Sequence, residues 1–172
     1  VYSTKHRTKI AQLCLSHGLI MATHDDATTA HIDEAVELGA TISEFPTTID
    51  AAQAARASGM KTVLGAPNVV RGGSHSGNAS ALALAEAGLV DALSSDYAPS
   101  SLLHGAFLLN KTKNISLPDA ISTVSSTPAK MAGFSDRGSI EVGLRADLIQ
   151  VQLTEEGTPL IRRSFVEGKR VS

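Results

Sequence analysis

The 172-residue sequence lacks tryptophan and has only two tyrosines, four phenylalanines and one cysteine. A lone cysteine excludes an intramolecular disulfide framework and favours a reducing compartment, so we expect a cytoplasmic protein. The sequence also lacks the run of about 20 apolar residues that a membrane-spanning helix needs, and we expect no membrane partner. Its 15 basic residues balance 17 acidic residues without clustering, which argues against a nucleic-acid partner.

A pattern of helix, glycine, short apolar run and polar residues occurs four times in the sequence. Apolar runs at residues 19–23, 40–43, 61–64 and 89–93 are predicted strands. The predicted helices before them cover residues 3–16, 29–38, 49–58 and 78–87, and each ends near a glycine. Three of the helices have predicted N-caps, at Thr28, Thr48 and Asn78.

The length of the four units predicts parallel strands joined by helices, because a parallel connection requires a long crossover. The carboxyl ends of such strands meet at one edge of the sheet, which is where ligands bind in these folds. We therefore expect the polar residues that follow the four strands to form one site. Four unrelated amphipathic helices with apolar linkers are the alternative that the pattern leaves open.

After Asp96 the pattern changes. Helices are predicted over residues 100–110 and 117–125, with a further helical turn at 127–131. Strands are predicted at residues 139–141, 146–153 and 160–166. The sequence therefore predicts an α/β region over residues 1–137 and a small β appendage over residues 138–172.

Two residues at predicted strand ends are candidate metal ligands. His24 precedes Asp25 and Asp26, and an imidazole with carboxylates that fix its tautomer is typical of a zinc site. Asp96 follows the fourth predicted strand, where a carboxylate can bind a metal and accept a proton from metal-bound water. The alternatives are a solvated turn at His24 and a helix N-cap at Asp96.

A glycine-rich loop at residues 69–77 follows the third predicted strand and contains Arg71, Gly72, Gly73 and His75. Exposed backbone N–H groups and the planar Arg71 guanidinium suit a phosphate group. A flexible surface loop is the alternative. Glu44 ends the second predicted strand, and its spacing leaves open whether it is a ligand or an acid at the sheet edge.

The strand ends and the tail together resemble the later half of an amidohydrolase-superfamily enzyme. The resemblance rests on His24, on residues 96–99, and on the tail segments 138–148 and 166–169. Within the superfamily, segments 23–28, 43–48 and 65–78 resemble the hydrolases of the carbon–phosphorus lyase pathway of phosphonate utilisation. This resemblance implies hydrolysis of α-D-ribose 1-methylphosphonate 5-triphosphate, a phosphorylated small molecule, to the 5-phosphate and diphosphate.

The resemblance also implies a fold and a set of site residues. The four units correspond to the C-terminal half of a TIM (β/α)8 barrel, strands five to eight, followed by strands of a small β-sandwich. His24 and Asp96 would bind a divalent metal, with zinc expected, and Asp96 would also be the general base. Glu44 stands where many relatives have a second histidine. The implied substrate-binding residues are Asn68, Arg71, Gly72, Gly73, Ser74 and His75.

The family's first-strand His-x-His pair and its strand-four ligand have no counterpart in the sequence. We therefore expect the chain to be a fragment with little or no hydrolase activity by itself. A half barrel would have open edges at its first and fourth strands, which favours a homodimer. The alternatives are another amidohydrolase, such as a deaminase or deacetylase, and a non-catalytic anion-binding or assembly module that kept the fold.

Overall fold

Four parallel strands form the central sheet of the protein. The computed structural model describes residues 2–73, 79–112 and 115–172. The strands lie in chain order across the sheet, and they are β1 (Ala22–His24), β2 (Ile42–Glu44), β3 (Lys61–Gly65) and β4 (Ala92–Ser94). This arrangement confirms the predicted α/β class and the parallel pairing of the four units.

Helices connect the strands as expected. The N-caps predicted at Thr28 and Thr48 are confirmed, because each hydroxyl accepts a hydrogen bond from a backbone N–H, of His31 and Ala51 respectively. The helices of this region are α1 (Tyr2–Ser16), α2 (Thr29–Glu37), α3 (Ile49–Ala57), α4 (Ala66–Arg71) and α5 (Ala81–Glu86).

Three predicted boundaries were wrong. The first strand begins at Ala22 instead of residue 19. The fourth helix begins at Ala81, with Ser80 as its N-cap residue, and the predicted cap Asn78 lies outside the described residues. The segment predicted as a loop from residue 69 lies partly in α4, which ends at Arg71.

Three more helices pack against the sheet after β4. They are α6 (Ser101–Leu109), α7 (Leu117–Ser122) and α8 (Ser126–Met131). The Leu93 N–H of β4 donates to the Thr123 carbonyl at 2.9 Å, so the turn after α7 covers part of the outer edge of β4. The expectation that this edge would be open is therefore wrong at Leu93.

The core is built mainly from small aliphatic side chains, which agrees with the scarcity of aromatic residues. Ala51, Ala52 and Ala55 of α3 are fully buried, and side chains of this size allow a helix to approach the sheet closely. The larger buried apolar side chains are those of Ile32, Met60, Leu64, Val69, Leu84, Leu89, Leu93 and Leu109.

The amino-terminal end of the sheet, opposite the predicted site, is held by one carboxylate. Asp91 accepts hydrogen bonds from the Lys61 ammonium at 2.9 Å and from the Thr62 N–H at 3.0 Å. It also pairs with Arg56 at 3.4 Å. These contacts fix the start of β3 against the start of β4, so the register at the opposite, carboxyl edge is defined.

The tail forms a separate antiparallel sheet of β5 (Leu148–Leu153), β6 (Pro159–Val166) and β7 (Lys169–Arg170). The strand predicted at residues 139–141 was wrong, because this segment forms no strand and Ile140 is 87% exposed. In the described part of the chain, no helix has both the length and the apolar character needed to cross a membrane.

Candidate active site at the carboxyl edge of the sheet

The parallel strands bring the predicted site residues to one edge. His24, Glu44 and Gly65 are the last residues of β1, β2 and β3. Asp96 follows β4 after a single intervening residue. Because all four strands run in the same direction, their carboxyl ends and the residues that follow lie on the same side of the molecule.

Two neighbours hold the His24 imidazole. Its Nδ1 lies 2.9 Å from Asp25 Oδ2, and its ring meets the Phe45 ring edge-on, with centroids 5.1 Å apart and planes at 84°. Asp25 therefore supplies the carboxylate that the sequence predicted beside His24. A carboxylate at Nδ1 favours the tautomer whose Nε2 carries a lone pair, and that nitrogen can then accept a proton or bind a cation.

Three residues at this edge have left-handed backbone although none is glycine. Asp25, Phe45 and Asp96 have φ values of 59°, 55° and 48°. This conformation costs roughly 1–2 kcal/mol for a residue with a side chain, and it is frequent at functional sites. Two of these residues extend the backbone hydrogen bonding between neighbouring strands. The Asp25 N–H donates to the Glu44 carbonyl, and the Phe45 N–H donates to the Val63 carbonyl, each at 2.9 Å.

Asp26 has a role that the sequence did not reveal. Its side chain turns into the protein, where the residue is 4% exposed, and its Oδ2 accepts hydrogen bonds from the hydroxyls of Thr23 and Ser43. Its carbonyl accepts the Thr47 N–H at 2.8 Å. Asp26 thus joins the ends of β1 and β2 and positions the His24–Asp25 turn, whereas only Asp25 contacts the imidazole.

Gly65 leaves a methyl-sized space at the centre of the edge. A methyl group added at Gly65 would lie 3.5 Å from Asp96 Oδ2, 3.6 Å from Asn68 Nδ2 and 3.7 Å from Phe45 Cε1. A carboxylate acceptor and an amide donor therefore face the same small volume, which we call the Gly65 space. The sequence predicted Asn68 and Asp96 as site residues, and the structure brings them together here.

Arg71 reaches the same edge from the end of α4. Its Nη1 donates to the Tyr97 hydroxyl oxygen at 3.2 Å, which joins the residue after Asp96 to the helix that follows β3. Gly72 ends α4 in left-handed backbone, and Gly73 follows it. Ser74 and His75, predicted as substrate-binding residues, lie outside the described residues.

The described residues do not complete a metal centre. In residues 2–73, 79–112 and 115–172, no three His, Cys, Asp or Glu side chains are grouped so that they could hold a metal ion. A catalytic zinc typically has three protein ligands at about 2 Å, whereas His24 and Asp96 are only two. His24 ends β1, the first strand of the sheet, whereas Asp96 follows β4, the last strand. The Phe45 ring contacts His24 and also borders the Gly65 space.

Comparison with known proteins gives a family and a relative of defined activity. The model of an amidohydrolase family matches residues 15–153. The α-D-ribose 1-methylphosphonate 5-triphosphate diphosphatase of Escherichia coli K12 is 49% identical to this chain over 172 residues. The match covers 99% of this chain and 45% of that protein, so the chain spans less than half the length of this curated relative.

Solved structures share the fold at low identity. The N-acetylglucosamine-6-phosphate deacetylase from Pasteurella multocida has a TM-score of 0.66 at 15% identity, covering 96% of this chain and 54% of that one. The L-hydantoinase from Arthrobacter aurescens has a TM-score of 0.62 at 15% identity, covering 96% and 59%. At this level of identity the likeness concerns the fold alone.

Proposed function

Because the chain belongs to the amidohydrolase family, we propose that it forms part of a phosphonate-pathway hydrolase. The proposed reaction converts α-D-ribose 1-methylphosphonate 5-triphosphate to the 5-phosphate and diphosphate. The observation that carries this proposal is the 49% identity to the E. coli diphosphatase over almost the entire chain. A deaminase or a deacetylase would share the fold without this identity.

The Gly65 space supports a hydrolytic role for Asp96. We propose that a water molecule attacks phosphorus near this space while Asp96 accepts the proton that the water loses. The new phosphorus–oxygen bond forms as the bond to the departing diphosphate breaks. Asn68, which faces the same volume, would orient the reacting group, and proton transfer to a positioned carboxylate typically contributes 10²–10⁴-fold to a rate.

The phosphate groups would lie beside Arg71, Gly72 and Gly73 at the end of α4, with Ser74 and His75 as the further proposed binding residues. The guanidinium fork matches phosphate oxygens, and backbone N–H groups at glycines can approach an anion closely. A divalent metal, with zinc expected, would need donors besides His24 and Asp96. Consistent with this, we propose little or no activity for the isolated chain.

We propose that residues 1–137 are four units of a (β/α)8 barrel and that residues 138–172 belong to its β-sandwich. The chain is shorter than the ~250 residues typical of such a barrel, and it matches 45% of its relative. The four parallel strands and three antiparallel strands agree with this division.

A substrate panel tests the proposed function. The protein to assay is a chimera in which this chain replaces the matching 172-residue segment of the E. coli relative. With added Zn²⁺, we expect it to release diphosphate from the ribose triphosphate substrate, but neither acetate from N-acetylglucosamine 6-phosphate nor ammonia from an aminated nucleobase. A folded chimera that releases acetate or ammonia and no diphosphate would contradict the proposal, and the isolated chain serves as the matched inactive control.

We also propose that two copies of this chain associate through the β1 side of the molecule. Within the described residues, no strand pairs with the outer edge of β1, and α1 exposes Ile10, Leu13 and Leu15. Exposed apolar surface of this kind marks an interface or an aggregation site. Light scattering should give a dimeric mass at about 100 μM, and Leu13→Glu should shift it to the monomer; a monomeric mass for the unmodified chain would refute the dimer.

A further inference from the structure

Tyr97 is a large aromatic residue on the surface beside the proposed site. It follows Asp96 directly, and it is 61% exposed. Its hydroxyl oxygen accepts the Arg71 hydrogen bond at 3.2 Å. The pair therefore links the end of α4 to the loop that follows β4 and does not contribute to the core.

Both side chains of this pair carry hydrogen-bond donors that can reach the same acceptor. Because Arg71 donates to the Tyr97 oxygen, the phenolic hydrogen is left to donate elsewhere, and within the described residues the Tyr97 hydroxyl donates no hydrogen bond. A phenol is both an acceptor and a donor, whereas a guanidinium is a planar cation with five N–H donors. A donor polarised by a neighbouring cation is a stronger donor to an anion.

We propose that Tyr97 and Arg71 together bind a phosphoryl anion, specifically the diphosphate end of the substrate. This inference rests on the proposed function, which supplies the phosphate chain. Tyr97 is adjacent to Asp96, whose carboxylate faces the Gly65 space. Diphosphate held by the Tyr97–Arg71 pair would thus place the neighbouring phosphorus toward the proton acceptor.

The composition of the chain provides a direct probe of this pair. The sequence has no tryptophan and only two tyrosines, at positions 2 and 97. In a Tyr2→Phe variant all tyrosine fluorescence comes from Tyr97. Titration of this variant with inorganic diphosphate at fixed ionic strength should change the Tyr97 emission saturably, and isothermal titration calorimetry should give the same dissociation constant.

Substitutions separate the two contacts. Tyr97→Phe removes only the hydroxyl, and Arg71→Lys keeps the charge but loses the planar fork. A hydrogen bond to a charged group is stronger than one between neutral groups. Each substitution should therefore raise the dissociation constant for diphosphate, measured by calorimetry, about ten-fold. Arg163→Lys, on exposed strand β6, is the matched control and should bind diphosphate like the unmodified chain.

The outcomes distinguish this inference from the proposed function. Ten-fold weaker binding in both variants, with unchanged thermal unfolding, supports the Tyr97–Arg71 site. Unchanged affinity in Tyr97→Phe, or no diphosphate binding by the chain, overturns it. Diphosphate release by the chimera is measured separately, so the hydrolase proposal can stand if this site fails, and the anion site can stand if the hydrolase proposal fails.

Discussion

Replacing Asp96 with asparagine in the chimera should lower kcat for diphosphate release by about 10³-fold, because the amide cannot accept a proton from water. Asparagine tolerates left-handed backbone better than most residues, so the φ of 48° at position 96 is compatible with the substitution. Thermal unfolding should therefore be nearly unchanged, and the loss would concern chemistry. Steady-state kinetics with a continuous diphosphate assay measures the effect.

Two further variants test whether the loss of activity is specific to Asp96 and to the space beside it. Asp33→Asn changes an exposed carboxylate on α2 and should leave kcat unchanged. Gly65→Ala adds a methyl group at ordinary contact distances from Asp96 and Asn68, so it should fold normally while filling the Gly65 space and lowering kcat. If Asp96→Asn retained more than about a tenth of the activity, Asp96 would not be the proton acceptor.

Replacing Asp26 with alanine should destabilise the isolated chain by about 2–4 kcal/mol. The substitution leaves two hydroxyls, of Thr23 and Ser43, without the acceptor that they share in a nearly buried position. Urea unfolding followed by circular dichroism measures the free energy of unfolding. The same variant should also loosen the His24–Asp25 turn, seen as faster amide exchange at the end of β1.

A matched aspartate provides the comparison for this experiment. Asp33→Ala removes an exposed carboxylate and should change the free energy of unfolding by less than about 0.5 kcal/mol. If Asp26→Ala were as mild as Asp33→Ala, then the carboxylate would not join β1 to β2 as the hydrogen bonds indicate.

The order of elements could be predicted because local signals determine it. Thr28 and Thr48 are capping residues by chemistry alone, and both cap helices in the structure. Gly39 and Gly59 follow their helices with φ values of 83° and 79°, as expected for residues that close a helix in left-handed backbone. The polar residues after the strands could therefore be placed at one edge without knowledge of the packing.

Helix α4 was missed although the sequence contained a signal for it. The prediction assigned no helix to Gly65, Ala66 and Pro67, which directly follow the third predicted strand. Proline is favourable in the first turn of a helix, and in the structure Pro67 occupies that position while Gly72 ends the helix. The pair could have predicted a short helix between the third strand and the glycines.

Other features depend on tertiary contacts that no local pattern encodes. The buried Asp26 accepts a hydrogen bond from Ser43, 17 residues away, and Arg71 contacts Tyr97 across 26 residues. Conversely, Ile140 and Val142 have the alternation of a strand but are exposed. Alternation predicts a strand only where a neighbouring strand is available to pair with it.

The central claim is that the carboxyl edge of this sheet belongs to a hydrolase acting on ribose 1-methylphosphonate 5-triphosphate. The most direct test is kcat/KM for diphosphate release by the chimera, measured beside the intact E. coli enzyme. We predict a value within about 100-fold of the parent, because the active-site groups named above would be retained. A folded chimera with a kcat/KM more than about 10⁴-fold below the parent would contradict the claim.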